Sequence, residues 1–398
     1  MSKIISVSCI FGSNVFFVLL ALLGIRYTGV ENSNIYIIYT LFITTLSLLL
    51  FFHDALMKNR KMKVTLLFIP IIIFEIYLLT MLFSDVSSLA SMFFYYYLLW
   101  SLPAFFMGIY LSWDNRHEYL FKSLDLILIF GSGAAIISTI FNVIQGSYSQ
   151  GLAGGTNQTL SYVSAFVFGL NLFLNFSKYN IVRFRFAKNR LYNIFCVILL
   201  PFQLLSVIIS GGRGGMVLLI IYLILFLIKT IKSYHSVKLS LFIFSVILTA
   251  MFFSFSLNNE IFNSGLERSF AYVGSGGLNW DGTSNRDSVY QDAINLIKER
   301  PLIGYGLFGY LSYYPNPHNL ILEVLLSGGL LYLILFILIV FYISKKYLSI
   351  TKKNKDMQFI GIIASFPIVM LMFSGTYMVS SELWFVLGFI LSYKEKIE

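Results

Sequence analysis

Apolar runs of about twenty residues, each long enough to cross a hydrocarbon core of roughly 30 Å, recur along nearly the whole chain. In hydrocarbon a backbone must satisfy its own hydrogen bonds, and strand-like alternation is absent, so these runs read as helices. Twelve are expected, at about 4–25, 33–52, 64–83, 89–112, 122–144, 159–176, 191–210, 214–231, 239–257, 319–343, 357–375 and 378–393. Only 12% of the 398 residues are charged, against roughly 25% in an average soluble domain. The expected fold class is therefore an all-α polytopic membrane protein, one integral membrane domain over 1–398. The first run lacks a small-residue cleavage site and reads as a retained span.

Lys and Arg give the orientation, because short cytoplasmic loops hold their excess. With the amino terminus inside, the segments HDALMKNRKMK, WDNRHEYLFK, SKYNIVRFRFAKNR, KTIKSYHSVK, KKYLSITKKNKD and the KEKIE tail are all cytoplasmic, as are both termini. Of the 28 Lys and Arg, 22 then lie inside and 6 outside. The net charge of +10 is accordingly a topology signal, and no nucleic-acid partner is expected from such short, separate basic loops. Cys9 and Cys196 fall inside expected spans and read as buried apolar residues rather than as a disulfide.

Between spans 9 and 10 lies one large external loop, residues 258–318, and loops of that size are usually functional. Its stretch TSNRDSVYQDAINLIKERP predicts an amphipathic helix over about 285–300. Ser284 and Asp287 form a capping-box pair, Val289, Ala293, Leu296 and Ile297 make one apolar face, and Lys298 and Arg300 close the last turn before Pro301. The helix is expected to lie against the outer membrane face. No nucleotide-binding signature is present, and no cytoplasmic domain is large enough to hold a nucleotide, so energy for any reaction should come from the substrate itself. A metal is not expected either: the external side offers one histidine, no cysteine and no compact acidic cluster of ligand spacing.

The external cations are Arg26, Arg213, Arg268, Arg286, Lys298 and Arg300, and the loop's four are outnumbered by Glu260, Glu267, Asp281, Asp287, Asp292 and Glu299. Position must therefore single out individual arginines. Arg213 lies in SGGRGG where a span opens; the glycines leave backbone N–H groups approachable, and a helix N-terminus points outward, an arrangement that suits a pyrophosphate. The plain alternative, a tight hairpin whose arginine meets lipid headgroups, would need fewer glycines. Arg286, in the first turn of the loop helix, opposes the helix dipole, which either an anionic ligand or Asp287 would offset.

His318 follows Pro315 and Pro317 and precedes Asn319 and a span. Near its ordinary pKa a histidine at the rim of a low-dielectric cavity can accept a hydroxyl proton. Taken alone, a solvated histidine at a helix N-cap accounts for it as well. Glu323, one turn inside the same span, shifts the balance, since an ionisable group there is costly and a functional candidate. Glu382 is a similar candidate near the outer end of the last span, whereas Glu75 sits mid-membrane and Asp125 near the cytoplasmic side.

SGGRGG opening a span, RDSVYQDAINLIKERPLIGYGLFGY in the long loop and PHNLILEVLLSGGLLYLILF leading out of it resemble, in that order, the motifs of the O-antigen ligase and Wzy-type polymerase superfamily. The resemblance covers roughly 206–340, and the twelve-span layout with its loop before span 10 extends it. It departs in flanking Arg213 with glycine pairs, where the family often has serine before and alanine after. It implies a GT-C-like glycosyltransferase, working without cofactor in a bacterial cytoplasmic (inner) membrane. Its substrates would be undecaprenyl-pyrophosphate-linked glycans, as donor and acceptor, in contact with membrane lipids and with a chain-length regulator as partner. Carried over residue by residue, the family's catalytic positions fall on Arg213, Arg286 and His318. Gly212, Gly214, Arg268, Arg300, Asn319, Glu323 and Glu382 are the expected substrate-binding residues.

Polymerisation of repeat units is the expected reaction, on the ground that so idiosyncratic a Tyr- and Phe-rich chain suits an enzyme matched to one glycan; ligation to lipid A core is the alternative. A lipid-linked oligosaccharide flippase is the alternative of another class, but the two halves do not resemble one another and the polar positions gather at the outer face.

Overall fold

The computed structural model describes residues 2–28, 33–58, 70, 72, 88–114, 116–146, 151–176, 181–231, 260–269, 273–274, 277–278, 286–313 and 316–393. The span expected at 239–257, almost all of that at 64–83, Glu75, Ser284 and Pro315 lie outside these. The helices are α1 (Ser2–Phe11), α2 (Asn14–Leu22), α3 (Ser33–Met57), α4 (Ser88–Tyr96), α5 (Leu102–Ser112), α6 (His117–Ile144), α7 (Asn157–Asn171), α8 (Arg190–Ser210) and α9 (Arg213–Ile231), followed by α10 (Glu260–Ser269), α11 (Arg286–Glu299), α12 (Leu320–Lys353), α13 (Gln358–Phe373) and α14 (Ser381–Ser392). A π-helical turn joins α4 to α5 and another extends α7 to Phe176. Strands β1 (Val273–Gly274) and β2 (Gly277–Leu278) pair antiparallel.

Among the described residues seven helices are long and apolar enough to cross a membrane, or eight if a bent pair is one span, so the chain is a multi-pass membrane protein. Three expected spans take a different form. The first is two helices, α1 and α2, bent by 110°. Gly12 takes a left-handed φ of 56°, and Asn14 donates from its side chain to the Phe11 carbonyl at 2.9 Å, which closes the corner. The tenth runs to Lys353 but breaks at Gly328 and Gly329. The last shortens to the 12 residues of α14, about 18 Å at 1.5 Å per residue, because the residues before Ser381 form a turn.

Packing divides the chain into two compact units: Met1–Tyr39, His117–Ala271 and Lys355–Met370 form the first, and Thr40–Arg116, Tyr272–Asn354 and Leu371–Glu398 the second. In the first unit α7 is buried almost all round, between α6, α8 and α9. Phe166 stacks on Phe366 at 4.7 Å and meets Phe11 at 5.3 Å. A buried polar chain ties three of the helices together: Asn171 donates to Gln203 Oε1 at 3.0 Å, and Gln203 donates to Ser132 Oγ at 2.7 Å. In hydrocarbon, where apolar contact gives helices little reason to associate, such bonds supply part of the attraction. Asp125, fully buried, is held by Arg183 through Nε at 2.9 Å and Nη2 at 2.7 Å, which anchors the following loop to α6. Cys9 and Cys196 are buried and unbridged.

In the second unit α5 and α14 lie close along their length, and Ser112 and Ser392 share a hydrogen bond of 2.7 Å. Asp54 pairs with Arg116 at 2.6 Å and Lys58 at 3.1 Å. Beyond its break α12 turns large apolar side chains outward, Leu331, Ile334, Leu338 and Phe341 among them, as a helix bathed in lipid would.

Candidate functional site

In the first unit the motif SGGRGG is a helix–helix corner. α8 ends at Ser210; Gly211 takes the left-handed conformation at φ 61° and returns its N–H to the Ile208 carbonyl at 3.0 Å, a common helix stop. α9 then starts at Arg213. α7 grips this corner from one side. Asn157 donates to the Ser210 carbonyl at 3.1 Å and Ser161 to the Gly212 carbonyl at 2.9 Å. The remaining glycines serve this contact: a β-carbon at Gly212 or Gly215 would run into Ser161, and one at Gly214 into the Tyr162 hydroxyl. Packing against α7 thus accounts for three of the four glycines, which the sequence alone assigned to ligand approach.

α10, a helix absent from the sequence expectation, covers the other side. It nests against α8 at Gly265, where a β-carbon would lie 2.6 Å from the Ile208 carbonyl oxygen. This brings Arg268 to the corner, its side chain running over Gly211, while Arg213 Nε donates to the Arg268 carbonyl at 3.3 Å. Arg213 and Arg268, 55 residues apart, therefore flank one turn at the N-terminus of α9. Two arginines beside a helix N-terminus are a chemistry suited to an anion.

In the second unit the structure assembles His318, Asn319 and Glu323. Asn319, not His318, is the N-cap of α12: its side chain accepts from the N–H groups of Ile321 and Leu322 at 3.0 and 3.2 Å. His318 stands just before the cap, exposed, with a left-handed φ of 53°. A non-glycine residue there is strained, and such strain persists only where the surroundings impose it. They do so here: Pro317 is buried, Asn316 Oδ1 accepts from the His318 N–H at 2.7 Å, and Asn319 must remain extended to cap the helix. The imidazole is projected from a locked backbone.

The carboxylates expected to contact substrate are both enclosed in protein. Glu323 is 1% exposed; Thr376 donates to its Oε1, and the Tyr310 hydroxyl lies beside it. Burial, then the Glu323 carboxylate, pushes the Tyr310 hydroxyl well above its ordinary value, so it keeps its proton. Through Thr376 the carboxylate fixes the turn before α14, which Ser101 also holds by donating to the Met378 carbonyl at 2.6 Å and Trp384 by donating to the Tyr377 carbonyl at 2.9 Å. The same turn meets the histidine's approach, since Asn316 donates to the Gly375 carbonyl at 3.4 Å. Glu382, 4% exposed, accepts from Ser380 and Ser381 in the first turn of α14, where the helix dipole favours a carboxylate.

α11 begins at Arg286, whose side chain is not among those described, and packs along α12 with Ala293 buried. At its far end Arg300 lies over the Tyr305 ring, 4.7 Å from its centroid, and Tyr305 donates to Glu299 at 2.9 Å. The next residues enter the break in α12. Tyr305 N–H donates to the Leu326 carbonyl at 2.8 Å, and the N–H groups of Leu330 and Leu331 donate to the Pro301 and Leu302 carbonyls at 2.8 and 3.2 Å. A helix interrupted inside a membrane needs replacement partners for its freed backbone groups, and the segment Pro301–Tyr305 supplies them. Sequence patterning missed this interlock and the roles of Asn316 and Thr376. The Asn-Pro dipeptide at 316–317 was a turn signal that could have found the first residue. For Thr376 only the preceding glycine hinted at a turn.

Among the described residues no group of three or more His, Cys, Asp or Glu is placed to hold a metal ion. A family model described as O-antigen ligase matches residues 194–337, a little over a third of the chain. No curated protein and no solved structure gives a significant match.

Proposed function

As a member of the O-antigen ligase/polymerase superfamily, the chain is, we propose, a membrane glycosyltransferase that polymerises undecaprenyl-pyrophosphate-linked repeat units into O-antigen or a related surface polysaccharide. It works at the external face of a bacterial cytoplasmic membrane. One observation carries this reading: the matched segment, 194–337, contains Arg213, Arg286 and His318 and ends inside the helix that His318 precedes.

In the proposed reaction the hydroxyl oxygen of an acceptor sugar bonds to the anomeric carbon of the donor glycan. The bond from that carbon to the pyrophosphate oxygen breaks, and its electron pair leaves with undecaprenyl pyrophosphate. His318 takes the hydroxyl proton, a task suited to an exposed imidazole on a fixed backbone. Arg213, with Arg268 at the same corner, and Arg286 offset the charge growing on the leaving pyrophosphate. Glu323 and Glu382 act as positioning residues that hold the turn between α13 and α14. The leaving lipid pyrophosphate supplies the driving force.

The description of the matched family favours a second reading, ligation of the finished glycan to lipid A core. Purified protein given a lipid-linked repeat unit, without nucleotide or added metal, tests both. A ladder of longer products supports polymerisation. Transfer only on addition of lipid A core supports ligation, and lipid movement across a liposome bilayer without transfer refutes both.

A further inference from the structure

We propose that the first unit carries a second binding site, for the phosphate-bearing headgroup of a membrane lipid, between the segment after α2 and the turn before α7. A cavity of about 160 Å³ opens there, with Arg26, Ser138, Asn142 and Gln145 as its polar wall and no acidic residue in its lining. At about 30 Å³ per water it has room for roughly five waters, well short of the roughly 300 Å³ of a pocket for a drug-sized molecule. It suits a phosphate with a few attached hydroxyls. The guanidinium supplies the charge for such a group, and the two carboxamides and the hydroxyl supply further donors to its oxygens.

The floor of the cavity is locked and strained. Ala153 stands at φ 50° and Gly154 at φ 87°. Tyr27 donates its N–H to the Ala153 carbonyl at 2.7 Å, and the turn closes through Gly151 N–H to Gly155 O at 3.1 Å and Gly155 N–H to Leu152 O at 2.9 Å. A β-carbon at Gly154 would press on the Tyr27 carbonyl at 2.5 Å and the stem of Arg26 at 2.9 Å, so the turn and the arginine are fitted to each other. Strained, over-determined backbone of this kind is found at ligand clamps.

The surroundings are those of a lipid rather than of a free ion. Ile25 on one wall of the cavity and Phe141 on the other expose apolar surface, a track for a hydrocarbon chain whose head sits on Arg26. The cavity also lies at the arginine corner's end of the unit. Gly154 is three residues from Asn157, which bonds to Ser210 of that corner; extended chain of that length spans about 11 Å. Two phosphate-recognising sites at one end would hold two lipid-linked substrates, as polymerisation requires, and this last step alone rests on the proposed function.

The test uses the purified full chain in detergent and native mass spectrometry with three probes: undecaprenyl phosphate, phosphatidylglycerol and inorganic phosphate. Both exposed polar positions are changed, as Arg26→Gln and Gln145→Leu, with the melting temperature of each variant measured without lipid. The proposal expects at least a tenfold weaker lipid binding in both variants at unchanged melting temperature, with Arg213→Gln as the background of every measurement so that the corner site does not contribute. An effect on undecaprenyl phosphate alone identifies a polyprenyl head, and an effect on phosphatidylglycerol as well identifies a bilayer phospholipid. Lipid binding that ignores both substitutions overturns the proposal, as does an Arg26-dependent signal from inorganic phosphate alone. Because binding is read without turnover, a failed glycosyltransferase assay leaves this result intact.

Discussion

Gly329→Ala tests the interlock that directs the outer half of α12. The native glycine stands at φ 61°, ψ −156°, a region used almost only by glycine. Holding alanine there costs about 2 kcal/mol, before counting the contact its β-carbon would make with the Leu302 carbonyl carbon. In a straightened helix the same alanine is favoured over glycine by about 1 kcal/mol. The substitution therefore moves the balance between broken and straight helix by at least about 3 kcal/mol, or about a hundredfold. Straightening returns Leu330 N–H to the Leu326 carbonyl and expels Pro301–Tyr305, so the amides respond oppositely. Hydrogen exchange should show Tyr305 losing protection about a hundredfold while Leu330 and Leu331 stay protected, and glycan transfer should fall as His318 is re-aimed. Unchanged exchange at Tyr305 would refute the reasoning, and simultaneous loss at all three amides would mean global unfolding instead.

His318→Gly separates strain from chemistry. Relief of the left-handed strain, about 1–2 kcal/mol, slightly exceeds the entropy cost of a new glycine, about 0.5–1 kcal/mol, so stability should hold or rise while transfer is lost; His318→Ala should lose transfer and gain nothing. Near-normal long-chain glycan in either variant would end the assignment of His318 as base. Gly214→Ala drives a methyl into the Tyr162 hydroxyl and should cost about 1–3 kcal/mol, the usual range for overpacking. Because the added β-carbon would meet Tyr162 Cζ and Cε1 as well as the hydroxyl, Tyr162→Leu, which removes the ring, should recover part of that loss in the double variant, and additive losses would show that the contact is not the cause. Cysteine replacing Ser275 should label from outside the cell and cysteine replacing Lys355 from inside, and the reverse pattern would invert the proposed topology.

Helix type and placement were legible because long apolar runs in a membrane have one backbone solution; α8 and α9 start and stop within a residue of their expected ends. What the sequence hid are the places where local and long-range needs compete. The apolar run 4–25 looks uniform, yet Gly12 and the Asn14 side chain bend it by 110°. The run from 319 also looks uniform, because the partners that permit its break at Gly328 and Gly329 lie some 25 residues earlier. Arg268 could not be placed beside Arg213 from patterning, since that neighbourhood depends on α10 packing through Gly265.

The glycines around Arg213 show why a motif and its physical cause have to be separated. Their number suggested bare backbone offered to a ligand, whereas Ser161 and Tyr162 occupy the space that side chains at 212, 214 and 215 would need. The corner is rigid for that reason. A rigid corner fixes where Arg213 emerges and how the N-terminus of α9 points, which is what an anion site demands of its scaffold. The same logic holds at His318, where Asn316, the buried Pro317 and the Asn319 cap leave the backbone one conformation although the imidazole itself is exposed. At both places glycine, asparagine or proline does the positioning, and the ionisable side chain carried on the fixed backbone is the one to which the proposed chemistry is assigned.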